Sequence, residues 1–289
     1  MFLQLFANFL CERDVINQEQ VKNVLAQRRS EKLFLGALAI DIGLMTEDQV
    51  ERVLHLQTSS PKRFGEIAVA QGFLDEEQLT LLLKVQSKDD LIVIKILTDD
   101  VSMEIDTVLE HFEDFKKHYA LSEEEFDAIV DQNMNFYVER IAKVDDSFGR
   151  FKEFAALFLG YISRTLDKDV LTGEAYHEDA FSSQYVVLQN CKGDETLVIG
   201  YTAESDVLSQ WASVYADIET DGLDADAIDS LTEFMNCVAG MFAGVMETER
   251  NIDIHVEAPR FGKDLSFERA FVLPVHTKYG DAKIIMVER

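Results

Sequence analysis

Proline and cysteine are both scarce in this 289-residue chain, with 3 residues each. So few prolines, beside only 14 glycines, exclude collagen-like and Pro-rich chains and suit a helix-rich one. Cys11, Cys191 and Cys237 are odd in number, far apart and form no C-x-x-C pair, which excludes a disulfide framework and a spaced zinc site. The expected setting is a reducing cytoplasm. Long apolar runs are also missing. The stretch from Leu91 to Ile94 is far short of the ~20 residues that a spanning helix needs. The first ten residues lack a basic n-region and carry Gln4 and Asn8, so they read as an amphipathic helix and not as a signal peptide. Positive charge is in deficit: 27 Lys and Arg stand against 54 Asp and Glu, a formal net of −27. Neither the first 90 residues, nor 91–150, nor 151–289 is basic overall. This disfavours nucleic acid and membrane insertion and favours a partner with a basic surface.

What the chain does have is apolar material, at 47% of residues with 20 Phe, enough for a sizeable core. Its length suits about two domains. The first 90 residues repeat. Phe34 to Val50 aligns with Arg63 to Leu79, pairing Gly36 with Gly65, Gly43 with Gly72, Leu54 with Leu83 and Gln57 with Gln86. A weaker copy places Asp14, Val21 and Leu25 at the same 29-residue offset before Gly43, Val50 and Leu54, with Ala7 and Asp14 replacing its glycines. Each unit reads as a short helix ended by Gly, a hydrophobic pair, and a second helix capped by Thr46 or Asp75 with Gln49 or Gln78 three residues on. Stacked units would bury a shared apolar face.

These two copies resemble the MshEN domain of type II secretion and type IV pilus ATPases. That family carries two 24-residue motifs joined by a five-residue spacer, and 34–57, 58–62 and 63–86 match those lengths. The resemblance implies a cyclic di-GMP site, with Arg63, Gln57 and Gln86 at motif positions. The chain departs from the family where Phe34 replaces the first motif Arg and removes a bidentate phosphate contact. A helical stacking or docking module without nucleotide is the competing reading.

Residues 91–147 read as an acidic helical connector. Leu91 to Leu97 suits a strand or the start of a helix. Ile105, Val108, Leu109, Phe112 and Phe115 follow helical spacing. Ser122 with Glu125 suggests a capping box for a helix running through Ile129, Val130 and Phe136. His111 and His118 read as solvated side chains on an acidic helix, and no metal site is expected.

From 148 onward the pattern becomes α+β. A helix over 148–166 precedes strands at 184–191 and 196–201, a helix at 205–215 and a long helix from about Asp224 to Arg250. Strands follow at 252–256, 270–277 and 283–287, giving an antiparallel sheet packed with long helices. The long helix carries an apolar seam of Ile228, Leu231, Met235, Val238, Phe242 and Val245. Another face shows Glu233, Asn236, Gly240, Gly244 and Glu247, with Glu233 and Asn236 one turn apart. Each glycine costs about 1 kcal/mol of helix stability relative to Ala and admits close approach by another backbone. On spacing alone, tight helix packing beneath an ordinary polar pair is the favoured reading of this face.

Glu233 to Gly240, followed by Ile252 to Gly262, resembles the CheC/CheX/FliY chemotaxis phosphatases, whose hallmark is E-x-x-N on a long helix. The likeness extends to the element order of 148–289, so the expected architecture is α+β: helical repeats over 1–90, the connector over 91–147 and a CheX-like domain over 148–289. The resemblance implies hydrolysis of the aspartyl phosphate of a CheY-like response regulator. Asn236 would position water, Glu233 would hold the regulator's Lys, and Gly240 and Gly244 would receive the docked partner. No intrinsic cofactor is implied, since Mg²⁺ belongs to the partner. A second E-x-x-N is missing, because Glu153 is followed three residues on by Ala156. Relatives of this kind pair into homodimers, and the terminal strand, limited by Pro274, is the expected edge. The rival reading is a non-enzymatic signalling adaptor whose repeats bind a protein partner or cyclic di-GMP.

Overall fold

The computed structural model describes residues 2–17, 19–21, 35–41, 44–57, 64–75, 78–79, 97, 103–130 and 132–288. The chain divides into two compact units, one of 6–115 with Phe2 and one of 116–289 with 1 and 3–5.

The front unit is helical. Its described helices are α1 (Phe2–Glu12), α2 (Leu35–Asp41), α3 (Glu47–Gln57), α4 (Phe64–Ala70) and α5 (Ile105–His118). The 29-residue period is written into its hydrogen bonds. The N–H groups of Val15, Leu44 and Phe73 donate to the carbonyls of Leu10, Ala39 and Ala68 at 3.0, 2.8 and 3.0 Å. Each closes a helix and turns the chain. Gly72 makes that turn at φ 70°, and Asp14 at the same repeat position reaches φ 57°, a conformation that Asp tolerates better than most side chains. Reciprocal capping boxes follow at Thr46 with Gln49 and at Asp75 with Gln78. Asn17 and Gln20 form a third, so the weaker copy keeps the turn and the cap of the other two. The glycines Gly36 and Gly65 serve close approach. A Cβ there would stand 2.8 Å from Val50 and 2.5 Å from Leu79, the same partner fourteen residues on. Helix α1 is amphipathic as expected: Phe2, Leu3, Leu5, Phe6, Ala7, Phe9 and Leu10 are buried, while Gln4, Asn8 and Cys11, one stripe of the helix, are half-buried. Phe2, Phe6 and Phe9 lie on one side of α1, and the rings of Phe112 and Phe115 from α5 pack against them at 4.6–6.3 Å. Phe34, Gly43, Arg63, Leu83, Gln86 and the 91–96 stretch fall outside the described residues.

In the rear unit, the Ser122–Glu125 capping box forms as expected. The single helix expected beyond it is two, α6 (Glu123–Val130) and α7 (Met134–Arg140). Gln132 takes φ 60°, and the Asn133 side chain caps the restart by accepting from the N–H groups of Asn135 and Phe136. Next come α8 (Phe151–Thr165), α9 (Ser205–Ala216) and α10 (Ala225–Arg250). The strands are β1 (Leu171–Thr172), β2 (Tyr176–Glu178), β3 (Phe181–Gly193), β4 (Leu197–Ala203), β5 (Ile254–Val256), β6 (Arg260–Phe267), β7 (Ala270–Thr277) and β8 (Gly280–Glu288).

All pairings are antiparallel. The sheet order is β1-β7-β8-β4-β3-β5, with β2 also on β7 and β6 also on β3. The terminal strand is therefore not the expected edge, because β8 lies between β7 and β4. Pro274 also sits inside the sheet. The missing N–H falls at the gap between β1 and β2, where Gly173 donates to the Pro274 carbonyl at 3.1 Å. One sheet face packs under α8, α9 and α10. Phe151 stacks on Phe271, Phe158 meets Tyr201 edge-on, and Trp211 stacks on Tyr201. By register, Gln189, Ile199, Met286 and Phe271 form one row on that face. The opposite face gathers Val186, Leu188, Val198, Val272 and Ile285 into a separate apolar cluster beneath Phe181.

Candidate functional site

The 26-residue helix α10 starts at Asp224, whose carboxylate accepts from the Ala227 N–H at 2.8 Å. Backbone N–H donors, Ala227 first, hold that carboxyl below its ordinary range. At the other end Asn251 takes a left-handed conformation and closes the helix. Leu231, Phe234, Met235, Val238, Ala239, Phe242 and Met246 are buried. The expected seam is thus right at its centre, while Ile228 and Val245 at its ends are half-buried.

Glu233, Asn236, Gly240, Gly244 and Glu247 are all exposed. A Cβ on Gly240 or Gly244 would meet nothing within 4 Å. Tight packing does not account for these glycines, since no described residue comes within 4 Å of a Cβ at either position. Their helix cost of about 1 kcal/mol each brings no internal contact in return. Gly240→Ala is accordingly expected to raise the unfolding free energy by about 1 kcal/mol, seen as a higher urea midpoint with unchanged slope. A fall in the midpoint would mean that something in the folded chain occupies that space.

The groups around the pair are polar and aromatic. Gln189 Nε2 on β3 donates to Asn236 Oδ1 at 3.2 Å and to the Glu257 carbonyl at 2.5 Å. Asn190 Nδ2 donates to the Glu257 carboxylate at 2.8 Å, and Lys192 forms an ion pair with it. Lys192 first, then Asn190, holds the Glu257 carboxyl below its ordinary range. On the other side, the Cys237 thiol lies 3.8 Å from Glu233 Oε1 and 3.6 Å from the Tyr215 hydroxyl, which meets the Tyr161 hydroxyl at 3.0 Å. Burial pushes both phenols upward, so they stand beside the exposed carboxylate as neutral groups at neutral pH.

Helix α8 offers no second pair. Ala156 is buried, and Glu153, one turn before it, is tied to Arg250 of α10 by an ion pair. Met241 is half-buried and Phe242 buried, 5.6 Å from Phe154. Of the nucleotide-site residues expected in the repeats, Gln57 ends α3 half-buried, whereas Arg63 and Gln86 fall outside the described residues. Sequence reasoning did not single out Gln189, Tyr161 or Tyr215. Gln189 did carry a signal, as a polar residue alternating with Val187 and Cys191 on the core face of a strand. Among the described residues no group of three or more His, Cys, Asp and Glu could hold a metal ion, and no helix is long and apolar enough to cross a membrane.

No family model and no curated protein sequence matches the chain. Its C-terminal half is similar to solved chemotaxis structures. The chemotaxis protein CheX from Desulfovibrio desulfuricans is 13% identical, with a TM-score of 0.41 over 47% of this chain and 99% of that one. CheX from Vibrio vulnificus is 16% identical, with a TM-score of 0.40 over 47% and 99%. The CheX–CheY–BeF3–Mg²⁺ complex from Borrelia burgdorferi aligns at 16% identity, with a TM-score of 0.41 over 48% and 96%.

Proposed function

We propose that the rear unit dephosphorylates a CheY-like response regulator, with Glu233 and Asn236 as its working pair. The observation that carries this reading is the open face of α10, where a carboxylate and an amide stand one turn apart above two glycines that no described residue covers. An amide is neither a nucleophile nor a proton acceptor at neutral pH, so its use in catalysis is to orient. A helix surface is convex and cannot enclose a small substrate. It can enter the cleft of a partner that brings its own phosphoryl group, metal ion and lysine. Asn236 then holds the attacking water in line with phosphorus, and Glu233 pairs with the lysine and fixes the docked geometry. Gly240 and Gly244 give the partner backbone room. The net charge of −27 favours encounter with a basic rim.

The test is loss of phosphate from a phosphorylated, Mg²⁺-loaded receiver protein with and without the full chain. Faster decay with the chain supports the reading, and equal decay refutes it. Gly240→Arg, which fills the empty space, is expected to remove most of the acceleration while leaving the fold intact.

The front unit carries a second and separable reading. The repeats keep one cap, one turn and one glycine approach through successive copies, which suits a docking platform for a protein or for cyclic di-GMP. Calorimetric titration with cyclic di-GMP, on wild type and Arg63→Ala, decides between the two: heat that depends on Arg63 supports the nucleotide, and absence of heat leaves the protein platform. As a non-enzymatic adaptor the chain would bind the receiver and leave its decay unchanged.

A further inference from the structure

We infer that Gln189 is a positioning residue that sets which end of the Asn236 amide faces the reaction. The inference rests on the phosphatase reading and adds a residue to its site. Its warrant is a chain of fixed polarities. The Glu257 carbonyl can only accept a hydrogen bond, so the part of the Gln189 amide that lies 2.5 Å away must be its NH2 group. The second hydrogen of that NH2 is directed to Asn236 at 3.2 Å, and what receives it must be an acceptor, Oδ1. Asn236 is thereby held with Oδ1 inward and its own NH2 outward, where no described residue pairs with it. An isolated asparagine on an open helix face would present either end. Here the outward end is a donor. A water that accepts from it keeps its second lone pair for phosphorus and both of its hydrogens for acceptors on the partner.

The anchor of this chain is itself held in place. The Glu257 N–H donates to the Asn190 carbonyl at 2.9 Å, and the Glu257 side chain is gripped by Asn190 and Lys192. Gln189 is fully buried, and its Oε1 has no hydrogen-bond partner. An orphaned buried amide oxygen costs about 1–3 kcal/mol. An apolar side chain in the row with Ile199 and Met286 would avoid that cost but would leave the Glu257 carbonyl without this donor. What the glutamine contributes beyond that bond is the one to Asn236, the member of the pair expected to touch the attacking water.

The experiment is a double-mutant cycle on the full chain, read as regulator dephosphorylation. Gln189→Met keeps length and volume but removes the donor. It is expected to lower kcat roughly 10- to 100-fold, as misplacement of a positioned group does, and to leave the half-saturating regulator concentration within about twofold, since the docking face is untouched. In an Asn236→Ala background the same substitution is expected to change nothing further. Gln189→Asn, one methylene too short to reach Asn236, provides a second, still polar variant and is expected to lose kcat alike. Wild-type kcat in both variants overturns the inference, as does a loss that multiplies with that of Asn236→Ala. If the wild-type chain does not accelerate decay at all, the phosphatase reading fails by itself. The side-chain amide ¹⁵N–¹H spectrum then decides the hydrogen bond. The Asn236 pair, identified by its disappearance in Asn236→Ala, must move in both Gln189 variants, and a pair that stays in place overturns the inference.

Discussion

Asn236→Ala is expected to lower the rate constant for regulator dephosphorylation by roughly 100-fold or more at saturating regulator, with little change in the concentration needed for half-saturation. The side chain is exposed, and among the described residues its bond is to Gln189. On the proposed role, removing it costs little docking energy and takes away the group that aligns the water. Glu233→Gln is expected to do the reverse. It keeps shape and hydrogen-bonding capacity but leaves the partner's lysine facing a neutral amide in a closed interface. Loss of a buried charge partner costs about 2 kcal/mol or more, which is roughly thirtyfold in half-saturating concentration. Steady-state titration of phosphorylated regulator against each variant separates the two effects. A uniform fall in binding for Asn236→Ala, or an unchanged titration for Glu233→Gln, would show that the roles are wrongly divided. The Cys237 thiol beside Glu233, and the Tyr215 hydroxyl on the far side of that thiol, are not expected to substitute for its charge.

Much of this was legible in the chain because its determinants are local. Capping boxes span three residues, and the helix-ending turns span five or six, so the 29-residue unit announces itself. The first copy is fainter in sequence because Ala7 and Asp14 stand where the other two have glycines. Asp14 adopts the left-handed turn without one, and Asn17 with Gln20 supplies the cap. Helix α10 was legible from its seam and from the Asp224 cap. Strand β6 was not, because its exposed and half-buried residues follow no regular alternation and none is fully buried, so it carries no apolar period. The break at Gln132 was equally hidden, since Asn133 reads as a helix residue until its side chain is seen capping the next turn. The partnership of Gln189 with Asn236 joins residues 47 apart in sequence. It appears only when β3 is registered against β4 and α10 is laid across both, and a single strand cannot say which helix its inward face will meet.

The largest expected effect on stability belongs to Phe234, which lies between Glu233 and Asn236. Phe234 is buried, and its ring lies 5.0–6.1 Å from those of Phe158, Tyr161, Tyr201, Trp211 and Tyr215. Phe234→Ala removes the centre of an aromatic cluster drawn from α8, β4, α9 and α10, and those elements are fixed too well by the sheet to collapse into the gap. The expected loss is about 4 kcal/mol, from apolar transfer, residual cavity and broken edge-to-face pairs, a large share of the 5–15 kcal/mol typical of a domain. Trp211 is the chain's one tryptophan and is stacked on Tyr201, so its fluorescence during urea unfolding reports this cluster without interference from the helical repeats. Phe234→Leu, which refills most of the volume, is expected to lose less than half as much. A loss under about 1 kcal/mol in the alanine variant would mean that the cluster can repack. Glu233 precedes Phe234 and Asn236 follows two residues later, so the ring that anchors this turn also sets the orientation of both exposed side chains. Folded Phe234→Leu protein should therefore dock its regulator less tightly even at temperatures where it is fully native.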